Sequence, residues 1–345
     1  MRVLVASTYV PFIDGGGRMI VRDLVAALRE RDHEVDTIEI PFLSAWDTML
    51  EQMLAIRLMD VADSADVLVA IRTPSYLLRH PNKRLWFIHH HRGAYDLWGT
   101  PYQDIPSTPA GMAVRDAILA ADDLYLREAQ RIFTNSQIVA DRLREFNDLQ
   151  GTVLYPPLGK PELFVRGAAE DYVFYPCRIT GHKRQQLAVE AAAQLTTDAR
   201  VLIAGAPDGP GQLEPLQALI DRHGLGDRVG LIARWISEEE KADLIARSLG
   251  VLYIPFLEDS YGYVTLEAFQ AHKPVITCSD SGGTLEIVQD GVNGLVVAPE
   301  AASLAQAIDR LRADPATAAD MGERAHETLS LKDISWDTVV SSLLG

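Results

Sequence analysis

Val251-Leu252-Tyr253-Ile254-Pro255-Phe256-Leu257-Glu258-Asp259-Ser260-Tyr261-Gly262-Tyr263-Val264-Thr265-Leu266-Glu267 is an apolar run, then a loop with acids at both ends, then the start of a helix. An apolar run without polar alternation is what a strand buried on both faces looks like, the condition of a parallel sheet covered by helices. At the end of such a strand the loop can offer backbone N–H groups and a helix N-terminus to an anion. Asp259 and Glu267 are then left for hydroxyl hydrogen bonds. An anion and a polyol held by one loop point to a nucleotide sugar.

The same pattern extends outward in both directions. Apolar runs recur at 3–6, 35–40, 67–71, 85–88, 132–134 and 153–155, and again at 173–175, 201–204, 229–232, 251–255, 275–278 and 295–297. Helix-period segments separate them, marked by Ile20, Leu24 and Leu28 in one and by Leu213, Leu216 and Ile220 in another. Six strands in each half, in βα order, predict an α/β protein of two Rossmann-like domains with parallel sheets. Pro156, Pro157 and Pro161 break regular structure and place the joint, so the first domain is expected over 1–160 and the second over 161–327. Helix-spaced apolar residues return in the tail, 328–345, after the second domain is complete.

Composition narrows the partners. The chain has 345 residues and a formal net charge of −16, which argues against a nucleic-acid partner, since phosphate backbones need an excess of Lys and Arg. No apolar run reaches the ~20 residues that span a bilayer, and the N-terminus enters a strand directly, so neither a spanning helix nor a signal peptide is expected. Cys177 and Cys278 lie far apart in expected strands and read as reduced thiols of a cytoplasmic protein, at or near the inner face of the membrane. Leu77-Leu78-Arg79-His80-Pro81-Asn82-Lys83-Arg84 is a small apolar-basic stretch. It reads as a solvated loop before a strand in preference to a membrane contact, although weak peripheral contact through the N-terminal domain stays open.

Other strand ends carry groups suited to the same ligand. Gly15-Gly16-Gly17 follows the first strand, where glycines let the backbone approach a ligand closely; the loop lacks the G-x-G-x-x-G spacing of dehydrogenases, and a bare glycine turn stays open. Arg178 and Lys183 follow the first strand of the second half and can converge on a diphosphate, the alternative being two solvated cations. His89-His90-His91 ends the fourth strand. Neighbours on an extended chain point to opposite faces, so a shared metal is the weaker reading, and no D-x-D occurs to hold a divalent clamp. Alternation leaves His89 and His91 on one face. Ser281-Gly282-Gly283-Thr284-Leu285-Glu286-Ile287-Val288, with Asp290-Gly291-Val292-Asn293-Gly294 after it, reads as a loop, a helix start and a glycine turn.

Together these stretches resemble the retaining glycosyltransferases of family four. Asp259 through Glu267 is similar to that family's E-G-F-G-L-x-x-L-E signature, with Asp259 in place of the first Glu and Ser260 in place of the first Gly. Cys177-Arg178-Ile179-Thr180-Gly181-His182-Lys183-Arg184 resembles its G-R-L-x-x-x-K motif, and 281–294 its S-G-G-x-x-E-I-V-x-D-G-x-N-G run. The resemblance implies a GT-B architecture, two Rossmann-like domains with sheets facing a central cleft, and a last helix at about 328–345 that crosses back onto the first domain. It implies transfer of a sugar from UDP or GDP to an acceptor hydroxyl of a glycan, lipid-linked or small-molecule acceptor, with an α-linkage, no cofactor and no metal.

By the same resemblance Arg178 and Lys183 bind the leaving diphosphate, and His89, with His91 second, touches the donor sugar. Gly16 and Gly17 lie near diphosphate and acceptor, and the backbone at Arg234-Trp235 takes the base. Glu267 takes the ribose, Asp259 and the Ser260–Gly262 backbone, Tyr261 included, take the sugar hydroxyls, and N–H groups around Tyr263, Val264 and Thr265 face the phosphates. A nucleotide-sugar binding protein without turnover and a GT-B nucleotide-sugar epimerase are the alternatives.

Overall fold

The computed structural model describes residues 1–12, 15–209 and 211–345. The chain divides into two compact units, Met1–Pro157 with Ile334–Gly345, and Leu158–Asp333.

The first unit holds strands β1 (Arg2–Tyr9), β2 (Glu34–Pro41), β3 (Val67–Ala70), β4 (Lys83–Phe87), β5 (Arg131–Thr134) and β6 (Thr152–Val153) in a parallel sheet of order β2-β1-β3-β4-β5-β6. Its helices are α1 (Gly16–Arg29), α2 (Met49–Leu58), α3 (Pro109–Tyr125), α4 (Gln137–Asn147) and, from the end of the chain, α11 (Trp336–Leu344). β3 and β4 are buried along their whole length, as their apolar runs require. β2 is not: its residues alternate between half-buried and exposed, because it is an edge strand paired only with β1. α1 buries Ile20, Leu24 and Leu28. α11 buries Val339, Val340 and Leu343, sets Trp336 edge-on to Trp86 at 6.2 Å and takes an ion pair from Arg31 to Asp337 at 2.5 Å.

The stretch from Leu77 to Arg84 departs from its reading as a solvated loop. Leu77, Leu78, His80, Lys83 and Arg84 are all buried. The Lys83 ammonium donates to the Tyr76 carbonyl at 2.7 Å and to Glu128 at 2.9 Å, while Arg84 donates to the Leu343 carbonyl at the end of α11. These cations hold the fold together, and the segment presents no apolar-basic surface.

The second unit holds β7 (Tyr172–Pro176), β8 (Arg200–Ala204), β9 (Val229–Ile232), β10 (Gly250–Leu252), β11 (Val275–Cys278) and β12 (Gly294–Val297), again all parallel, in the order β12-β11-β10-β7-β8-β9. Around them lie α5 (Gln185–Ala192), α6 (Glu214–Arg222), α7 (Glu238–Ala246), α8 (Tyr263–Gln270), α9 (Ala301–Ala313) and α10 (Pro315–Leu331). Numbered within the unit, this is the Rossmann strand order 3-2-1-4-5-6.

Strand order fixes where a ligand can sit. In an open parallel sheet the crevice opens outside the carboxyl ends of the strands at the point where the order reverses. That point is between β7 and β10 in the second unit and between β1 and β3 in the first. The segments following β1, β7 and β10 carry most of the candidate residues; His89 and His91 follow β4, and Arg234 and Trp235 follow β9. No helix among the described residues is long and apolar enough to cross a membrane.

Candidate functional site

In the second unit, β7 and β10 release two segments that meet at once. Lys183 sits in a single 3-10 turn after β7, just ahead of α5, and its ammonium reaches the Glu258 carboxylate and the Tyr253 hydroxyl, the latter at 3.1 Å. Burial alone would lower the Lys183 ammonium, but the Glu258 charge outweighs it and holds the lysine well above its usual range. Lys183 therefore stays cationic at any physiological pH. The acid it meets is Glu258, one position before the Asp259 singled out from sequence. Asp259 itself is half-buried.

Arg178 goes elsewhere. Its guanidinium pairs with Asp208, beyond β8, at 2.6 Å. Arg178 and Lys183 do not converge, and each is held by its own carboxylate. Arg184, not singled out from sequence, anchors the loop. It donates from Nε to the Ile254 carbonyl at 2.7 Å and from Nη2 to the Pro255 carbonyl at 2.8 Å, and it forks onto Asp280 at 2.8 and 2.9 Å. One side chain thus ties the end of β10 to the segment after β11.

The glycines at 282 and 283 explain why the loop keeps its shape. A Cβ on Gly282, at φ +65°, would lie 2.4 Å from the Glu258 carbonyl oxygen, and one on Gly283 would lie 2.7 Å from Ser260 Cα. The Gly283 N–H donates to the Glu258 carbonyl at 2.8 Å. Two backbones lie against each other with no room for a side chain, which brings Glu258 and Ser260 to fixed positions. Asn293, fully buried, donates to the Ile287 carbonyl and to Thr328, so the Asp290–Gly294 turn is a structural clasp.

Gly262 starts α8 at φ 72°, and a Cβ there would meet the Tyr253 ring at 2.3 Å. In the first turn Thr265 is already engaged twice, its N–H on the Gly262 carbonyl at 3.0 Å and its hydroxyl on the Tyr261 carbonyl at 2.5 Å. Thr265 is thus a poor donor for a bound anion, and the Val264 N–H, which has no helical carbonyl behind it, is better placed. Tyr261 is buried, so only its backbone can face a ligand. Ser260 Oγ accepts from the Gly262 N–H at 3.3 Å.

Glu267 is 1% exposed. One carboxylate oxygen accepts from Lys241 of α7 at 2.5 Å, and the other is buried with no hydrogen-bond partner. A buried polar atom left unpaired costs about 1–3 kcal/mol, more when charged, which is tolerated where a ligand supplies the missing donor. Lys241 was invisible in sequence, standing in Glu238-Glu239-Glu240-Lys241 as one more charge on a solvated face. Its neighbour Glu240 takes the Arg234 guanidinium at 2.6 and 2.9 Å, and Trp235 beside it is 58% exposed.

In the first unit, Gly16 and Gly17 form the first turn of α1, capped by Gly15; Ile13 and Asp14 of the same loop lie outside the described residues. A Cβ on Gly17 would fall 2.8 Å from Arg72 Cδ, so the close approach that glycine allows here is to Arg72, which follows β3 and reaches the Thr8 carbonyl at 3.4 Å. His89, after β4, is half-buried, with Nδ1 at 2.5 Å from the His90 carbonyl. A carbonyl only accepts, so Nδ1 carries the proton and Nε2 is left as an acceptor. Burial, with Arg72 adding to it, pushes His89 down to about 4, so the ring is neutral at pH 7. His90 turns inward onto Asn147 at 2.7 Å among Phe87, Tyr95 and Phe146. His91 Nε2 lies 3.3 Å from the Asp104 carboxylate without a hydrogen bond to it. The three histidines thus have three separate surroundings, and no metal-binding cluster occurs among the described residues.

Strand order, loop geometry and a partnerless buried carboxylate oxygen define a two-unit doubly wound α/β protein with ligand-directed groups at its strand ends. Residues 164–328 match the family glycosyl transferases group 1. Over 158 residues the chain is 36% identical to the alpha-D-kanosaminyltransferase of Streptomyces kanamyceticus, an alignment covering 44% of this chain and 39% of that one. The chain spans about half or less of the length of the first curated relatives it matches. A sucrose-phosphate synthase from Thermosynechococcus elongatus shares the fold at a TM-score of 0.78 and 20% identity, over 98% of this chain and 96% of that one. Anabaena HepE in complex with UDP-glucose does so at 0.73 and 18%, over 99% and 100%. The family match lies within the second unit, and the fold of the chain is that of the GT-B glycosyltransferases.

Proposed function

We propose that this chain transfers a sugar from a nucleoside diphosphate sugar to an acceptor hydroxyl with retention of the α-configuration and without a metal. The observation that carries the reading is Glu267: a buried carboxylate with one oxygen held by Lys241 and the other unpartnered, on the helix that follows the anion-facing loop. A ribose diol supplies the donor that oxygen lacks. The UDP-glucose bound to HepE supports a nucleotide sugar as the ligand class.

As the anomeric C–O bond breaks, negative charge builds on the leaving diphosphate. Lys183, already cationic and partly desolvated, takes part of it, with the Val264 N–H at the start of α8 and Arg178 once it leaves Asp208. Fixed donors at a developing anion are worth about 3–4 kcal/mol each in other enzymes. Asp259 and the backbone of Ser260–Gly262 take sugar hydroxyls. In the first unit His89, neutral with Nε2 as acceptor, is suited to receive a hydroxyl, and its neutrality avoids a further cation beside Arg72. Departure assisted in this way lets the acceptor enter on the same face without an enzyme nucleophile. A glycosidase mechanism would need two carboxyls across one bond, and Asp259 and Glu267 stand instead at opposite ends of one loop.

The test is release of UDP or GDP from a panel of sugar nucleotides in chelator, with sugar acceptors added. Turnover in the wild type and its loss in Lys183→Ala support the reading. Nucleotide binding without any turnover across the panel would favour a binding protein, and interconversion of sugar nucleotides without acceptor an epimerase.

A further inference from the structure

At the opposite end of the second sheet lies a cavity that the transfer reaction does not use. It has a volume of about 490 Å³ and is lined by Arg166, Lys273, His272 and the apolar residues Leu249, Pro274 and Ala318, among others. Leu249 and Pro274 directly precede β10 and β11, so the cavity opens at the amino ends of the strands, a sheet's length from Lys183 and Glu267.

Lys273 sets this cavity apart. It is 6% exposed, and its ammonium donates to the Gly167 carbonyl at 3.0 Å with no carboxylate among the described residues within ion-pair reach. The other lysines held inside the protein behave differently: Lys83 meets Glu128, Lys183 meets Glu258 and Lys241 meets Glu267. An ammonium taken from water with one neutral acceptor is poorly compensated unless an anion joins it. Burial, with Arg166 adding to it, lowers the Lys273 ammonium to about 8, the signature of a charge lacking its counter-ion. Arg166 and His272 both lean on Glu323, so that single acid is shared between them and leaves the cavity wall net positive. The apolar residues around the cations leave room for a carbon skeleton behind a charged head group.

We propose that this cavity is a second anion site that takes a small phosphate monoester, held by Lys273 and Arg166, separate from the nucleotide-sugar site. The choice of a phosphate monoester over a carboxylate follows from charge: two cations lining one cavity match a dianion better than a monoanion. The site stands on its own residues and does not depend on the transfer reading.

The experiment is calorimetric titration of the full chain with glucose 6-phosphate and with inorganic phosphate, in the presence and absence of saturating UDP. Saturable binding that persists with UDP present, and that weakens about tenfold in both Lys273→Met and Arg166→Gln, is the expected result. Arg166 is 61% exposed, so its variant folds even if the buried lysine's does not, and UDP binding in each variant checks the donor site independently. Absence of binding in the wild type, displacement by UDP, or binding indifferent to Arg166→Gln overturns the proposal. Binding of acetate as tight as that of the phosphate compounds overturns the phosphate assignment.

Discussion

Replacing Lys241 by Met removes the cation paired with a carboxylate that is 1% exposed. Truncating one partner of a buried ion pair costs about 3–5 kcal/mol, because the remaining charge stays buried and uncompensated. Lys241 is itself 17% exposed, so water reaches its end of the pair and the lower figure, about 3 kcal/mol, applies. At a urea slope of about 2 kcal/mol/M the unfolding midpoint falls by about 1.5 M. Glu267→Gln keeps the shape and removes the buried charge, so its cost is smaller, about 1–2 kcal/mol. The double variant then loses less than the sum, with a coupling of at least about 1.5 kcal/mol. Urea unfolding followed by far-UV circular dichroism gives the midpoints, and amide exchange in α7 and α8 locates the loss. A midpoint change under about 0.3 M for Lys241→Met, or additive single effects, would refute the reasoning that this lysine compensates Glu267.

Gly262→Ala combines a left-handed backbone with a clash on Tyr253 and should cost about 3 kcal/mol or more, whereas Gly224→Ala, at φ +63° in open space, costs only the strain of about 1–2 kcal/mol; paired thermal melts measure the difference. Arg184→Gln should leave the sheet intact and free the 253–262 loop, read as new protease cleavage there and weaker UDP or GDP binding. Glu258→Gln should tighten nucleoside diphosphate binding several-fold, since it removes a carboxylate that repels the diphosphate and occupies Lys183; weaker binding would place Glu258 on the ligand instead. His89 and His90 are pushed by burial from 6.5 down to about 4, so the folded state binds fewer protons than the unfolded one between those values and loses stability as pH falls through that window. Asp122, raised by burial to about 6 despite hydrogen bonds from Tyr76 and Tyr95, acts the other way with one group against two. Urea midpoints should therefore drop from pH 7 to pH 4.5, and the drop should shrink in His90→Gln.

The fold was legible because each of the twelve expected runs is a strand, and each run's position is set by burial between helices, a local property of sequence. Where burial is not local, the pattern misleads. The 35–40 run interleaves Asp36, Thr37 and Glu39 with Val35, Ile38 and Ile40 and lies on an edge, and Leu77–Arg84 looks solvated yet is mostly internal, because Lys83 and Arg84 find partners at Glu128 and Leu343. The candidate site divides in the same way. Glycines with no room for a side chain, 262 against the Tyr253 ring and 282 and 283 against backbone, stand out in sequence. Long charged side chains do not: Lys183 meets Glu258, Arg184 meets Asp280 and Lys241 meets Glu267, each across many residues. No spacing rule joins such pairs, so Glu258, Arg184, Lys241 and Arg72 were not seen, and Arg178 was expected beside Lys183 when it sits on Asp208.

The central claim is that the unpartnered oxygen of Glu267 receives a ribose hydroxyl. Its most direct test is calorimetric titration, in chelator, of UDP and GDP and of the 2′,3′-dideoxy analogue of whichever binds tighter, against wild type and Glu267→Gln. The account predicts metal-free binding in the wild type, a loss of about tenfold or more for the dideoxy compound, and little difference between the two ligands in Glu267→Gln. Equal affinity of the wild type for both ligands, or no nucleotide binding at all, would contradict it.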